Sequence, residues 1–390
     1  MSVIGIIAEF NPFHNGHKFL IDSVKAEGDS VICVIGDDFT QRGDTAFITK
    51  YARAEAALDC GADLCVLLPV PWSMSCANNF AIGGVSILKN LRVDRIAFGS
   101  ECGDIKKLKR VAAVLKTEEF SVSLANELKK GITFALARQN AVEKLLGDDS
   151  TVLENPNDTL AVEYINAADS LGFKVEFMPI KRKGNPHDCP TPSAEFLSAS
   201  ALRTLAQSGD IKSIGEYVPK ASFDIISREC ENEKIANIYN LEAAILSHLR
   251  RLTAEDFLKL PEVSEGLENR IFETVKKSTS LDECYESIKT KRYTLARIRR
   301  IILSAYLGID KTYFLSEVPY IKVLALCNNG EALLRNATIP LVLRNGDYNR
   351  LPQNALPCFE MQKRAADLYG LALKNKNPAG LEFTTKIIKK

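Results

Sequence analysis

Residues 3–17 read VIGIIAEFNPFHNGH. The run Val3–Ala8 is almost continuously apolar, as strands are when both faces of a parallel sheet are covered. Polar residues follow at once, among them His14 and His17 with Gly16 between them, and then an amphipathic stretch begins. This order of strand, loop and helix places the histidines at the carboxyl end of a strand, where open α/β sheets bind their ligands.

The same alternation continues through the first 180 residues. Four more strand-like runs are found at Ser30–Ile35, Leu64–Leu68, Arg95–Phe98 and Lys174–Met178. Helix-like stretches separate them, at Lys18–Ala26, Tyr51–Cys60, Ala77–Asn90, Ile105–Leu115 and Thr159–Leu171. Because such alternation is typical of a doubly wound α/β fold, we predict a Rossmann-like parallel sheet in an N-terminal domain over residues 1–220.

The pattern changes near Phe223. Long helical segments follow, including Leu241–Leu252, Leu281–Lys289 and Ala296–Leu307, whereas Thr338–Leu343 gives no clear signal. We therefore predict a second, mainly α-helical domain over residues 221–390. Basic residues slightly outnumber acidic ones in this part, which is compatible with a polyanion such as RNA as its partner.

Composition narrows the class of protein. The 390 residues are 46% hydrophobic and 25% charged, with a net charge of +1, as in an ordinary globular protein. No apolar run approaches the roughly 20 residues that span a bilayer, and we expect no signal peptide. The ten cysteines show neither a C-x-x-C pair nor a zinc-like spacing. These features predict a cytoplasmic protein with no membrane segment and no dedicated metal site.

Two histidines three residues apart at a helix start favour anion binding. Backbone N–H groups and the helix dipole attract phosphate there, and Gly16 leaves room for a nucleotide to approach the backbone. Imidazoles so placed can donate hydrogen bonds to an α-phosphate as charge develops in a transition state. We therefore predict that His14 and His17 are catalytic; the alternative is a pair of structural histidines.

A second segment, LSASALR at residues 197–203, has the features of a phosphate clamp. Ser198 and Ser200 supply hydroxyl groups at a helix start, and the Arg203 guanidinium follows one turn later. On its own the pattern fits a capped surface helix equally well. Together with the histidines, it predicts a nucleoside triphosphate site built from two distant parts of the chain.

Other loops at the same edge of the sheet supply weaker candidates. Gly99 follows a predicted strand and permits close approach of an adenine or ribose, and Arg182 is expected to contact phosphate. Asn157 precedes a predicted helix and is expected at least to cap it. The segment Gln41-Arg42-Gly43 fits either an anion site for an acyl group or RNA phosphate, or a solvated loop. The pair His187-Asp188 is a weak candidate for a catalytic dyad.

The two motifs resemble those of the nucleotidylyltransferase superfamily, which has H-x-G-H after the first strand and an I-S-S-T-x-x-R-like motif after the last. Class I aminoacyl-tRNA synthetases share the first motif. A longer pattern is similar to the bacterial tRNA(Met) cytidine acetate ligase family: EFNPFHNGH at 9–17, QRGD at 41–44, FGSE at 98–101, PND at 156–158, SASALR at 198–203 and KTKRYTLARIRR at 289–300. One departure is GDDF at 36–39, where a Ser-Gly-x-Phe-like run is expected.

This resemblance implies an enzyme that activates acetate with ATP as acetyladenylate. It then transfers the acetyl group to N4 of the wobble cytidine of elongator tRNA(Met). Besides the two histidines, it implies ATP contacts at Ile7, Ala8, Glu9, Phe10, Asn11, Pro12, Phe13, Asn15, Gly16, Leu20, Gly99, Asn157, Arg182, Ser198, Ser200 and Arg203. Mg²⁺ is expected to accompany the nucleotide, because it offsets the charge of the triphosphate.

A dense basic segment in the helical part is the predicted tRNA contact. Its six basic residues are Lys289, Lys291, Arg292, Arg297, Arg299 and Arg300. The alternative is a solvated helix face. Two other functions stay open at this point. An adenylyltransferase that makes a dinucleotide cofactor would need no basic helical domain, and a nucleotide-sensing RNA-binding protein without turnover could dispense with both histidines.

Overall fold

One sheet organises the protein, whose computed structural model describes residues 2–182, 197–264, 266–315 and 317–390. Its strands are β1 (Val3–Ala8), β2 (Ser30–Gly36), β3 (Leu64–Leu68), β4 (Arg95–Ser100), β5 (Glu176–Lys181), β6 (Ile321–Leu326), β7 (Leu341–Val342) and β8 (Ile388–Lys389). They lie side by side in the order β5-β4-β1-β2-β3-β6-β7, and β8 pairs with β6.

The first five strands are all parallel. β1 lies between β2 and β4, while β3 and β5 continue the sheet on either side. The chain thus builds one half of the sheet through β2 and β3 and the other half through β4 and β5. Because the direction of winding reverses at β1, a crevice opens beyond the carboxyl ends of β1 and β4. The predicted doubly wound parallel sheet is confirmed.

Helices cover both faces of this sheet. They are α1 (Asn15–Val24), α2 (Lys50–Asp59), α3 (Val70–Ser73), α4 (Ala77–Asn90), α5 (Ile105–Val114), α6 (Glu118–Leu128), α7 (Phe134–Leu146), α8 (Pro156–Ser170) and α9 (Ala199–Gln207). Along β2, Val31, Cys33 and Ile35 belong to one apolar core, whereas Ile32 and Val34 belong to the core on the opposite face. This burial on both sides explains why the strands are apolar at successive positions.

The C-terminal part is mainly helical, as predicted. Its helices are α10 (Lys220–Glu231), α11 (Glu242–Leu249), α12 (Ala254–Leu258), α13 (Leu267–Lys277), α14 (Leu281–Ile288), α15 (Leu295–Leu307), α16 (Asn328–Leu333), α17 (Leu356–Ala372) and α18 (Leu381–Thr384). Several of them enclose a third apolar core, which contains Ile245, Ile271 and Ile302. Within the described ranges, no helix combines the length and the apolar character needed to cross a bilayer.

This part of the chain also returns to the sheet. β6 runs antiparallel to β3, with Leu326 opposite Leu64, and β7 and β8 are parallel to β6. None of these three strands is predicted from the sequence. The sheet therefore takes strands from both sides of residue 220, and a domain boundary at that residue stays a prediction.

Candidate active site

A cavity of about 510 Å³ lies in the crevice beyond β1 and β4. This volume is within the range of small-molecule sites. Most of the residues predicted to bind a nucleotide line it: Ile7, Ala8, Glu9, Phe10, Asn11, His14, Gly16, His17, Leu20, Gly99, Asn157, Arg182, Ser198, Ser200 and Arg203. The fold thus brings together residues that are almost 200 positions apart in the chain.

Three predicted contacts, Pro12, Phe13 and Asn15, are not in the lining. Phe13 is buried and packs against the ring of His17, with the centroids 5.4 Å apart. The Asn15 amide donates a hydrogen bond to the carbonyl of Glu216 at 3.1 Å. Both side chains therefore pack behind the motif loop, and the ATP contacts expected at these three residues stay predictions.

His14 and His17 form a reciprocal cap at the start of α1. His14 is the N-cap residue, and its Nδ1 accepts the N–H of Gly16 at 3.1 Å, while the N–H of His14 donates to Nδ1 of His17 at 3.2 Å. A neutral imidazole whose Nδ1 accepts a hydrogen bond carries its proton on Nε2. The rings are stacked 3.7 Å apart at 19°. The cap therefore presents two Nε2–H donors side by side.

Burial keeps His17 neutral. It lowers the pKa of this imidazole well below the ordinary value, and the nearby charges of His14 and Arg182 act in the same direction. The Phe10 ring packs edge-on against the imidazole, with the centroids 4.8 Å apart. His17 is thus a rigid, uncharged hydrogen-bond donor, and this form suits the stabilisation of charge that develops on a phosphate.

The second motif begins α9 at the opposite wall. Ser198 is the N-cap residue, and its hydroxyl accepts the N–H of Ala201 at 3.3 Å and lies 3.1 Å from the hydroxyl of Ser200. Arg203 donates from Nη1 to the carbonyl of Asn11 at 2.8 Å. The predicted clamp is therefore bonded directly to the histidine loop, and the N-terminus of α9 opens towards the cavity.

The carboxylates of Asp158 and Glu101 connect the carboxyl end of β4 to the first turn of α8. The buried side chain of Asp158 accepts hydrogen bonds from the Ser100 hydroxyl and from the N–H groups of Glu101 and Cys102. Glu101 in turn accepts the Asn157 side chain at 2.6 Å and the N–H of Asp158 at 3.0 Å. This network places Gly99 and Asn157 on the cavity wall.

The expected capping role of Asn157 is wrong. Asn155 is the N-cap residue of α8 and Pro156 follows it, so the helix begins earlier than its apolar pattern indicated. Proline is favoured in the first turn because its missing N–H would have no helical partner there. Asn157 therefore lies inside the first turn, and its side chain is bonded to Glu101.

Comparison with known proteins places these motifs in a family. Residues 1–382 match the family described as HIGH Nucleotidyl Transferase. The chain is 35% identical over 402 residues to a tRNA(Met) cytidine acetate ligase of Thermoanaerobacter sp. strain X514, and the match covers all of both chains. A protein of the same name from Caldanaerobacter subterraneus subsp. tengcongensis is also 35% identical, over 403 residues, with full coverage of both. The chain belongs to the tRNA(Met) cytidine acetate ligase family.

Two solved structures support this family membership. A crystal structure of Thermotoga maritima TmcAL in the apo state covers all of both chains, with a TM-score of 0.94 and 30% identity. A second one, bound with alpha-thio ATP, also covers all of both, with a TM-score of 0.92 and 31% identity. A protein at this level of likeness therefore holds an ATP analogue on the same fold.

The basic segment of this ligase family member does not form one continuous surface. The Arg297 guanidinium donates to the carbonyl of Glu262, and Arg300 makes two 2.6 Å bonds to the Glu262 carboxylate. Arg299 lines the cavity instead. The other three, Lys289, Lys291 and Arg292, are exposed. The predicted tRNA contact is thus divided between an internal ion pair, the cavity and the solvent-facing end of the segment.

Several cavity residues had no recognisable signal in the sequence. Phe80, Phe98, Leu160 and Tyr164 form an apolar part of the lining, but in the sequence they look like core positions of helices and strands. Arg299 was assigned to RNA because spacing alone does not show which side of α15 faces the sheet. The pair His187-Asp188 lies outside the described residues.

The departure at residues 36–39 is explained by a buried charge cluster. Asp37 and Asp38 are buried, and Lys50 approaches Asp37 at 3.0 Å and Asp38 at 3.5 Å. Lys50 also lies 2.9 Å from Glu382 of α18, and Arg53 lies 3.4 Å from Asp38. Neither aspartate lines the cavity. The two carboxylates therefore balance buried cations behind the site.

Proposed function

We propose that this protein is an ATP-dependent ligase that modifies tRNA. It activates acetate as acetyladenylate and transfers the acetyl group to N4 of the wobble cytidine of elongator tRNA(Met), which gives N4-acetylcytidine. The observation that carries the proposal is the full-length match to relatives named tRNA(Met) cytidine acetate ligase. The paired histidine donors and the α9 terminus in one cavity support it, since both suit a triphosphate.

ATP binds across the crevice in this proposal. Its phosphates lie between the Nε2–H donors of His14 and His17 and the N-terminus of α9, with the Ser198 and Ser200 hydroxyls at the β- and γ-phosphates. The adenosine lies towards Gly99, whose missing side chain leaves room for its approach: among the described residues, the atoms nearest to a Cβ there would belong to Arg182, at 3.5 Å or more. Arg182 then borders both adenosine and phosphate.

The first chemical step forms a mixed anhydride. A carboxylate oxygen of acetate attacks the α-phosphorus, a new P–O bond forms, and the bond to the β-phosphate breaks with release of pyrophosphate. Negative charge grows on the α-phosphate oxygens during this step. The two imidazole donors are already in position to stabilise it, and no reorganisation of the cap is required. The acetyl carbon then has AMP as a good leaving group.

We propose that Mg²⁺ enters with ATP. This ion prefers phosphate oxygens and water to an all-protein cage. Among the residues that the structure describes, no group of three or more His, Cys, Asp or Glu side chains is arranged to hold a metal. The ion would be held chiefly by the triphosphate, and it would offset the charge of the leaving pyrophosphate.

tRNA approaches from the side of α15 in this proposal. Lys289, Lys291 and Arg292 are exposed just before α15, and Arg299 of the same helix reaches the cavity. A target base held in an unpaired loop can be turned into such a site and recognised there. We propose that the protein acts in the cytoplasm.

The test is a reconstituted reaction. The purified protein is incubated with ATP, Mg²⁺, radiolabelled acetate and total bacterial tRNA, and label on RNA is measured beside the variant H17A. We expect ATP-dependent label on a wobble cytidine, and its loss in the variant. Pyrophosphate release with a nucleotide substrate and no labelled RNA would instead indicate a cofactor-forming adenylyltransferase. Binding of ATP and RNA with no turnover would indicate a sensor.

A further inference from the structure

The turn Thr40–Asp44 forms part of the cavity wall and is held by several hydrogen bonds. It is closed by bonds from the Thr40 N–H to the Asp44 carbonyl and from the Gly43 N–H to the Thr40 carbonyl, both 2.9 Å long. The Gln41 N–H donates to the Glu9 carboxylate at 2.7 Å, and Arg300 donates to the Gln41 carbonyl at 2.9 Å. The end of β1 and helix α15 therefore fix this turn from opposite sides.

Asp44 presents a carboxylate to the cavity from this turn. Its Oδ1 accepts the N–H of Thr45 at 2.7 Å. Burial raises the pKa of the Asp44 carboxyl, although the Thr45 bond and the charges of Arg203 and Arg299 oppose this effect. Asp44 is thus a part-buried carboxylate on the cavity wall, where it can take up a proton.

Asp44 lies on the side from which tRNA is proposed to approach. Of the six basic residues predicted to bind tRNA, only Arg299 lines the cavity. Arg299 lies directly against the turn, because a Cβ added to Gly43 would be 2.6 Å from the Arg299 Cβ. The charges of Arg299 and of Arg203 in the phosphate clamp both act on Asp44. The carboxylate therefore lies between the proposed ATP phosphates and the helical part.

We propose that Asp44 is the general base of acetyl transfer, an inference that rests on the proposed function. The N4 lone pair of cytidine attacks the acetyl carbonyl carbon and forms the C–N bond. One N4 proton moves to the carboxylate of Asp44, and the bond from the acetyl carbon to the AMP phosphate oxygen breaks. The products are N4-acetylcytidine and AMP, and the proton on Asp44 passes to solvent. The exocyclic amine is a weak nucleophile, so a positioned proton acceptor accelerates this step.

Glu9 is the other carboxylate among the described lining residues. Its Oε1 holds the Gln41 N–H, and its charge acts on the buried hydroxyl of Tyr164 in α8. Glu9 therefore lies between the turn and the α8 side of the cavity, and its carboxylate is already engaged by the turn. This difference in position, rather than in chemistry, favours Asp44, and it makes Glu9 the matched control.

The experiment separates the two half-reactions in D44N and E9Q. Adenylation is measured as acetate-dependent ATP–pyrophosphate exchange without tRNA, and transfer is measured as single-turnover acetylation of tRNA. Asparagine keeps an oxygen for the Thr45 N–H but accepts no proton. We expect the ratio of transfer rate to exchange rate to fall about 10²–10⁴-fold in D44N, and to fall far less in E9Q. The wild-type transfer rate should drop as pH falls through the Asp44 pKa, and D44N should lack that drop.

Other results would overturn the inference. A D44N protein that transfers at the wild-type rate, or one that loses exchange and transfer equally, excludes a specific role for Asp44 in transfer. A larger fall of the ratio in E9Q assigns the base to Glu9. Failure of the proposed function gives a different result, because the wild-type protein would then show no acetate-dependent exchange at all.

Discussion

Arg203 donates a hydrogen bond to the backbone carbonyl of Asn11 at 2.8 Å, across 192 positions of the chain. This bond links the clamp of α9 to the loop that carries the histidines. Asn11 also accepts the N–H of Phe47 through its side chain at 2.8 Å. The geometry of the cavity therefore depends on a contact that neither motif makes alone.

Replacing Arg203 should weaken both the fold and the site. R203A removes a charged donor from a part-buried carbonyl, and we expect a loss of about 1.5–3 kcal/mol in the free energy of unfolding. Its affinity for an ATP analogue should also fall at least tenfold. Chemical denaturation and calorimetric titration measure the two effects. Q207A, an exposed change on the same helix, is the control, and an equal effect there would contradict the prediction.

The histidine cap allows helix capping to be separated from donation to phosphate. H14N retains a good N-cap residue for α1 but removes the imidazole Nε2–H. We expect the acetate-dependent exchange rate to fall about 10²–10³-fold, with little change in stability. T133A, which removes the cap of α7, should show the opposite pattern, with a loss of about 1 kcal/mol and normal exchange. A stability loss alone in H14N would indicate a structural histidine.

His17 should make stability depend on pH. Its pKa is lowered in the folded state, so the unfolded chain binds more protons once the pH falls below the ordinary histidine pKa of about 6.5. Stability is then fully present above that pH and declines as the pH falls, by up to about 1.4 kcal/mol per pH unit. We expect the free energy of unfolding, measured by chemical denaturation between pH 7.5 and 5, to change less with pH for H17Q than for the wild-type protein. An equal change with pH in the two proteins would contradict the assignment of this pH dependence to His17.

Gly43 should be irreplaceable for steric reasons. It has a φ of +71°, and a Cβ there would lie 2.6 Å from both the Arg299 Cβ and the Arg300 backbone nitrogen. We expect G43A to destabilise the protein by about 2–4 kcal/mol and to lower tRNA acetylation. G209A has a comparable φ of +87° with nothing within 4 Å, so it isolates the conformational part of the effect. Equal losses in both variants would show that α15 does not press on the turn.

The exposed basic residues should contribute to tRNA affinity by charge alone. Removing Lys291, which is exposed, should weaken the binding of all tRNAs by a similar factor. The slope of log K against the logarithm of the salt concentration should become less steep by a little under one unit. Filter binding at several salt concentrations measures this slope. Lys106, an exposed lysine on α5, provides the control substitution. An unchanged slope for K291A would place the RNA elsewhere.

Much of the fold follows from local sequence. β1 and β3 have the predicted bounds, because each is a short apolar run bordered by polar residues. β5 begins two residues later than predicted and extends to Lys181, since its half-exposed residues give a weak pattern. β6 is buried at every position and is apolar except at Lys322, so its periodicity does not distinguish a strand from a buried helix. β7 and β8 have two residues each, too few for any pattern.

The residues of the candidate site also differ in whether the sequence could predict them. Residues next to one another in a motif, such as His14 and His17, could be predicted because chemistry and spacing occur together in the sequence. Asp44 and Arg299 come from distant elements, and only the packing of α15 on the turn brings them together. Side chains of the apolar wall, such as Tyr164, look like ordinary core residues. The sequence therefore predicts the residues expected to bind phosphate better than it predicts the surroundings of Asp44 and the apolar wall.

The antiparallel pairing of β6 with β3 affects how the chain is made. β3 is complete at Leu68, but its partner is not synthesised until Leu326. At about 5–20 residues per second, roughly 10–50 s separate the two events on the ribosome. Throughout that interval β3 is an apolar strand with an open edge, which is a template for unwanted pairing between nascent chains. Slow translation should therefore favour aggregation, and chaperones that cover the emerging sheet should raise the yield of active protein.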